Sequence, residues 1–248
     1  MKTEWNYTNL AEAYLKRPDY ASSAIDKLFK HTSLKEGQIA CDVGAGVAHL
    51  TLHLLNRKLR VHAVEPNDAM RERGIKRTAG MNVDWFEGVG EETKQPDGLF
   101  DIVTFGSSFN VCDRAKALIE VKRIAKPNGW FAAMWNHRDL SDPIQAEIES
   151  LISAMIPEYG YGTRREDQTD IMHDSGLFKS VDFIEGNVIH SQTLPEIVEA
   201  WRSHATLQRQ AGDKFPDVVA RIEKFLVELN KTEIETPYTT RIWCGQLK

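Results

Sequence analysis

The 248-residue chain is predicted to be an α/β protein, with a seven-stranded, mostly parallel sheet, helices on both faces and a helical cap. Three observations predict this. Short apolar runs alternate with helix-length amphipathic stretches from Gln38 to Asn136, a Gly-x-Gly turn closes the first of those runs, and a helical stretch separates the last two strand-like runs. One domain is expected over 1–248, with an N-terminal helical lid at 1–33, a core at 34–140, and a second half at 141–248 carrying a cap insertion at about 193–232.

The core strands are predicted at Ile39–Val43, Arg60–Glu65, Val83–Glu87, Phe100–Phe105 and Trp130–Trp135. Between them, Ala48–Asn56, Asp68–Thr78 and Asp113–Ala125 have helical spacing, with Asp68 and Asp113 as expected N-caps and Pro127-Asn128-Gly129 as a turn. Ahead of the core, Thr8–Lys30 reads as two helices broken near Arg17-Pro18, because proline disfavours helical geometry in the residue before it.

Beyond the core, Pro143–Ile156 is amphipathic, and Asp167–Ser175 is a second helix stopped by Gly176. Val181–His190 and Tyr238–Gln246 are the last two strands. The insertion between them opens on Thr193-Leu-Pro-Glu196, which has capping-box spacing, and continues through Trp201, His204 and Pro216–Asn230.

Composition narrows the function. The formal net charge is −5 and the 31 basic residues are dispersed, so a phosphate-backbone footprint is lacking and nucleic acid is not expected as a partner. No apolar run approaches the roughly 18 residues that span a bilayer, and the N-terminus lacks a signal-type apolar region. No membrane partner and a cytoplasmic location are expected; a homodimer is left open. Cys41, Cys112 and Cys244 are an odd, widely spaced set, read as reduced thiols in or near strands.

The most informative motif is Ala40-Cys-Asp-Val-Gly-Ala-Gly46. Its glycines let backbone approach a ligand at the carboxyl end of the first strand, where open α/β sheets bind cofactors. A dinucleotide turn would prefer GxGxxG, yet the third position is His49, and Asp42 two residues before Gly44 repels phosphate and suits a cationic amino-acid ligand. The second strand ends in Glu65, where an acid can accept hydrogen bonds from ribose hydroxyls.

Asp42-Val-Gly-Ala-Gly46 resembles motif I of the class I, Rossmann-like S-adenosylmethionine-dependent methyltransferases, and Val64-Glu-Pro-Asn-Asp-Ala-Met70 resembles the segment that follows it. The likeness continues through Gly88-Val-Gly-Glu-Glu92, Phe100-Asp-Ile-Val-Thr104 and Lys126-Pro-Asn-Gly-Trp130. It implies S-adenosyl-L-methionine as cofactor. Gly44 and Gly46 would back its methionine moiety, Asp42 would lie near the amino group, and Glu65 would hold the ribose. Asn67 and Met70 would flank the adenine, Gly90 and Glu91 would meet its edge, and Phe105 and Gly106 would border the sulfonium. The outer elements resemble the small-molecule branch that includes trans-aconitate methyltransferase, although that branch's aromatic-His-Trp sequence is Phe109-Asn110-Val111 here.

The implied activity is methyl transfer to a small-molecule hydroxyl, carboxylate or amine. His137, Asn110 and His204 are the candidate catalytic residues, His137 foremost because imidazole titrates near neutrality. Tyr14, Arg17, Asn136 and Trp201 are candidates for contacting the acceptor, and Arg164-Arg165 for a carboxylate. His49 and His53 share a helix face but have no third ligand in view, so no metal site is expected. Two rival readings are a non-catalytic S-adenosylmethionine-binding regulator and a nicotinamide-dependent oxidoreductase, the latter disfavoured by Asp42 and the missing third glycine.

Overall fold

The structure, a computed structural model, describes residues 11–248. The first ten residues of the predicted lid lie outside the described residues. The rest of that segment is a short helix α1 (Ala11–Tyr14), a strap through Pro18, and helix α2 (Ser22–Thr32), which buries Ala24, Ile25 and Leu28 on one face.

Five parallel strands follow. Strands β1 (Ile39–Val43), β2 (Arg60–Val64), β3 (Val83–Phe86), β4 (Phe100–Gly106) and β5 (Ala125–Arg138) are parallel, and helices α3 (His49–Asn56), α4 (Asp68–Arg77) and α5 (Arg114–Ile124) connect them. Helices α6 (Pro143–Met155) and α7 (Thr169–Asp174) lead to β6 (Asp182–Thr193). Helices α8 (Leu194–Arg202), α9 (Ala205–Ala211) and α10 (Phe215–Glu228) then intervene before β7 (Glu233–Gln246).

The sheet order is β3-β2-β1-β4-β5-β7-β6, with β7 antiparallel to both neighbours. The order reverses between β1 and β4, which opens a crevice outside the carboxyl ends of those strands. Burial on both faces fixes the register. Ala40, Ile102 and Ala132 pack under α2 and α3, whereas Cys41, Val103 and Phe131 pack under α5. A third cluster, built on Ile148, Ile152, Trp201, Leu207 and Ile222, holds the cap together on α6, α8, α9 and α10.

Local chemistry accounts for the ends of the elements. Asp113 caps α5 as predicted, and Thr193 with Glu196 forms the capping box at α8. Helix α4 departs from expectation by one residue: its cap is Asn67, whose Oδ1 accepts the Met70 N–H, and Asp68 pairs with Arg71 instead. The turn predicted at Pro127–Gly129 is embedded in β5. Pairing jumps from Phe100–Ala125 to Ile102–Trp130, and Asn128 takes φ +62°.

Strand β7 starts five residues earlier than predicted and runs through Pro237. That proline's carbonyl accepts the Asp139 N–H where β5 has just ended, so its missing donor costs no ladder bond to β6. Among the described residues no helix is long and apolar enough to cross a membrane.

Candidate functional site

A cavity of about 430 Å3 lies over the carboxyl ends of β1, β4 and β5, roofed by the strap on one side and the helical cap on the other. Most of the residues singled out in the sequence line it: Tyr14, Arg17, Asp42, Gly44, Gly46, Glu65, Asn67, Met70, Gly90, Glu91, Gly106, Asn136, His137, Trp201 and His204.

At the β1 end, Gly44 (φ +69°) and Gly46 (φ +56°) occupy the left-handed region that L side chains avoid. A Cβ on Gly44 would stand 2.4 Å from the Cβ of Ser108, so the turn lies flat against the residues after β4. Beneath it, Asp42 is fully buried and accepts the hydroxyls of Thr51 (2.7 Å) and Thr104 (3.1 Å). Burial pushes its carboxyl up to about 6, against the pull of those hydroxyls. Such a group favours a cation placed beside it.

Glu65 follows β2. One carboxylate oxygen accepts the Gly46 N–H and the other the Asn67 N–H, each at 2.9 Å. Burial is the main influence and raises its pKa, while the two N–H bonds oppose that rise. Each oxygen keeps acceptor capacity for a further donor. Gly90 has no room for a side chain, since a Cβ would stand 2.4 Å from Cys112 Sγ. The Glu91 carboxylate accepts the Asp113 N–H at 2.6 Å and so ties this edge of the cavity to the start of α5.

Two expected site residues are elsewhere. Phe105 is fully buried and packs on Phe109 and Phe131 at 5.4 and 5.8 Å between ring centres. It shares the face of Val103, and the two-residue period of a strand turns it from the crevice that Gly106 borders. Asn110 is likewise not on the rim. Its Oδ1 accepts the indole N–H of Trp135 at 2.8 Å, satisfying a donor inside the core.

The strap is held by polar bonds. Asn136 donates to the carbonyls of Pro18 (3.1 Å) and Asp19 (2.9 Å), and its Oδ1 accepts the Thr240 hydroxyl. The two α3 histidines serve the same segment: His49 Nε2 meets the Tyr14 carbonyl at 2.8 Å and His53 Nε2 meets Asp19 at 2.9 Å. Among the described residues no group of three His, Cys, Asp or Glu could hold a metal ion. The three cysteines are free thiols, two of them inside β1 and β7.

On the cap side, Trp201 is 5% exposed and stacks on His204, whose Nδ1 caps α9 by accepting the Leu207 N–H. His137 is buried at the end of β5 and lines the cavity. Several lining residues were not picked out in the sequence. Tyr20 meets the Ser107 hydroxyl at 3.1 Å beside Gly106, while Gln145, Tyr161 and Tyr238 come in from the second half of the chain. Ser107 and Ser108 directly follow β4, and the strand-end rule that selected Gly106 also points to them. The residues of the second half carry no such signal, being placed by packing across long sequence separations. Arg165 also lines the cavity; the side chain of Arg164 lies outside the described residues.

The fold is that of the class I methyltransferases. Residues 41–133, which contain the glycine turn, Glu65 and Gly90, match the family described as methyltransferase domain. An uncharacterised methyltransferase of Mycobacterium tuberculosis is 33% identical over 123 residues, covering 50% of this chain and 48% of the relative. A ubiquinone/menaquinone biosynthesis C-methyltransferase of Vibrio vulnificus is 27% identical over 167 residues, covering 62% and 64%. The chain thus spans about half the length of the mycobacterial relative.

Solved structures agree in fold. A methyltransferase from Anaeromyxobacter dehalogenans superposes with a TM-score of 0.64 at 18% identity, covering 93% of this chain and 97% of that one. Phosphoethanolamine N-methyltransferase 2 of Haemonchus contortus, solved with S-adenosylhomocysteine, gives 0.57 at 14% identity, covering 97% and 57%.

Proposed function

We propose that the protein transfers the methyl group of S-adenosylmethionine to a small-molecule acceptor. The observation that carries this reading is the joint geometry of Gly46 and Glu65, in which an acid at the end of β2 is fixed beside a left-handed glycine turn that has no room for a side chain at Gly44. The residues present fit the cofactor. Gly44 and Gly46 would back its methionine part, the buried Asp42 would face its ammonium, and Glu65 would take the ribose hydroxyls. Met70, Asn67, Gly90 and Glu91 would surround the adenine, and Gly106 with Ser107 would border the sulfonium.

When bound, the cofactor supplies an activated methyl carbon that already carries its leaving group. The chain's own task is to orient the acceptor's nucleophile towards that carbon and to exclude water. The strap and cap enclose the space required. His137 would take a proton from a hydroxyl or amine acceptor; Asn136 holds the strap, and Trp201 with His204 would wall the acceptor side. A member of the trans-aconitate branch would carry out this reaction on a small acid.

Calorimetry of the purified protein with S-adenosylmethionine and S-adenosylhomocysteine tests the cofactor assignment. Binding of one molecule per chain, followed by S-adenosylhomocysteine release on adding an acceptor from a panel of small acids, phenols and amines, is the expected result. Tight binding without release on any acceptor would reduce the protein to a cofactor sensor.

A further inference from the structure

Two arginines reach the cap end of the cavity, and they differ in how their charge is met. Arg138 is neutralised: Nη2 pairs with Glu149 at 2.8 Å and meets the Tyr161 hydroxyl at 3.0 Å, Nη1 donates to Gln145 Oε1 at 3.1 Å, and its flat face lies 4.4 Å from the Trp201 ring centre.

Arg165 stands otherwise. Its guanidinium lies 4.0 Å over the Tyr161 ring and donates one N–H to the Arg138 carbonyl at 3.1 Å. Among the described residues it has no carboxylate within ion-pair distance and no second hydrogen bond, although a guanidinium carries five N–H donors in a planar fork. Burial is the main influence disfavouring its cationic form, joined by the Arg138 charge and opposed by Tyr161 and the Glu149 carboxylate; the net cost is one that an anion would relieve. With Arg138 cancelled by Glu149, this end of the cavity carries one uncompensated positive charge. Apolar and aromatic side chains from the second half of the chain, Ile197, Ala200, Trp201, Tyr161 and Tyr238, line the cavity together with the polar Gln145, Gln192 and Thr236. Lys16 and Arg17, the other cations on the lining, both belong to the strap, and Arg17 lies flat on Tyr14 at 3.7 Å.

We propose that Arg165 binds the acceptor by a single carboxylate, so that the acceptor class is a small monocarboxylic acid with an apolar body rather than a neutral molecule or a polyacid. The proposal rests on the methyl-transfer reading for the word acceptor, but the anion site itself does not depend on it. A planar carboxylate matches the guanidinium fork bidentately, and one charge suffices to balance Arg165. Body and head group would then be read separately, the first by Trp201 and its neighbours, the second by Arg165.

The test measures binding of three probes by calorimetry in the presence of S-adenosylhomocysteine and again without it: cinnamate, its uncharged isostere cinnamamide, and the trianion trans-aconitate. Cinnamate should bind about 10- to 100-fold more tightly than cinnamamide, the range of a charge-assisted pair, and more tightly than trans-aconitate. Arg165→Ala should erase the difference between cinnamate and cinnamamide in a protein that still melts cooperatively and still binds cinnamamide. Arg165→Lys should keep part of the preference, and Arg17→Ala most of it. Equal binding of cinnamate and cinnamamide, tighter binding of trans-aconitate, no binding of cinnamate, or a preference that survives Arg165→Ala would each overturn the proposal. Loss of S-adenosylhomocysteine binding with the anion preference intact would instead remove the cofactor reading and leave this site standing.

Discussion

The carboxylate of Glu65 accepts the backbone N–H of Gly46 at 2.9 Å, so the tip of β2 is latched to the glycine turn that follows β1. Nineteen residues separate the two in sequence, and the parallel pairing of Val43 with Val64 brings them together. The latch prepares an acceptor at the floor of the cavity before any ligand arrives.

Replacing Glu65 with Ala should weaken S-adenosylhomocysteine binding by about 1–3 kcal/mol, the worth of charge-assisted hydrogen bonds to a ligand. Glu65→Gln should lie between, because the amide keeps one acceptor oxygen. Calorimetry decides the point, and an unchanged affinity in a folded Glu65→Ala protein would take Glu65 out of the ribose site.

A glycine pair tests the turn. Gly44→Ala should cost about 2–5 kcal/mol of stability, adding the left-handed backbone penalty to the clash with Ser108. Gly98→Ala, with a similar φ of +59° but nothing within 4 Å of the added carbon, should cost only the backbone part, roughly 1 kcal/mol. Urea titrations giving equal losses would mean that close packing on Ser108 does not constrain the turn.

Much of this was legible in the sequence, for identifiable reasons. Strand ends in a parallel sheet form a crevice whatever the details, and so Gly44, Glu65, Gly106 and His137 could be placed from pattern alone. Phe105 was lost because the reading counted strand ends and not strand faces. Asn110 was lost because a polar residue after a strand looks like rim, and nothing local reveals that a buried indole 25 residues later needs its oxygen. The convergence of Arg138, Glu149, Tyr161 and Arg165 is a product of tertiary packing, beyond what helical or strand periodicity encodes.

Asp42 gives a pH signature. An acid whose folded pKa is raised, here from 3.8 to about 6, destabilises the fold when ionised. Its contribution therefore declines as pH rises from about 4 to about 6 and is level above that, with a slope of at most about 1.4 kcal/mol per pH unit. Asp42→Asn should remove this decline, so the stability gap between pH 4.5 and pH 7.5 should differ between mutant and parent. A cationic ligand beside Asp42 favours the carboxylate. Cofactor binding near pH 6 should accordingly release protons, seen as a binding enthalpy that varies with the buffer's ionisation heat. Identical gaps in the two proteins would assign the titration elsewhere.

The last contrast separates site from scaffold on neighbouring strands. His137 lines the cavity at the end of β5, whereas Asn110, after β4, supports Trp135. His137→Ala should leave S-adenosylhomocysteine affinity close to the parent's and lower turnover by about 10² to 10⁴ if it takes the acceptor's proton. In that case the parent's rate should fall as acidic pH protonates the imidazole, and the mutant should lose that limb of the profile. If His137 only positions the acceptor, KM should rise and the profile should keep its shape. Asn110→Ala should show the reverse pattern, with stability lowered by about 1–3 kcal/mol for a buried indole N–H left without its acceptor, and turnover per folded molecule unchanged. Should Asn110→Ala abolish turnover in a fully folded protein while His137→Ala does not, the two assignments exchange places, and the residues after β4 would hold the acceptor.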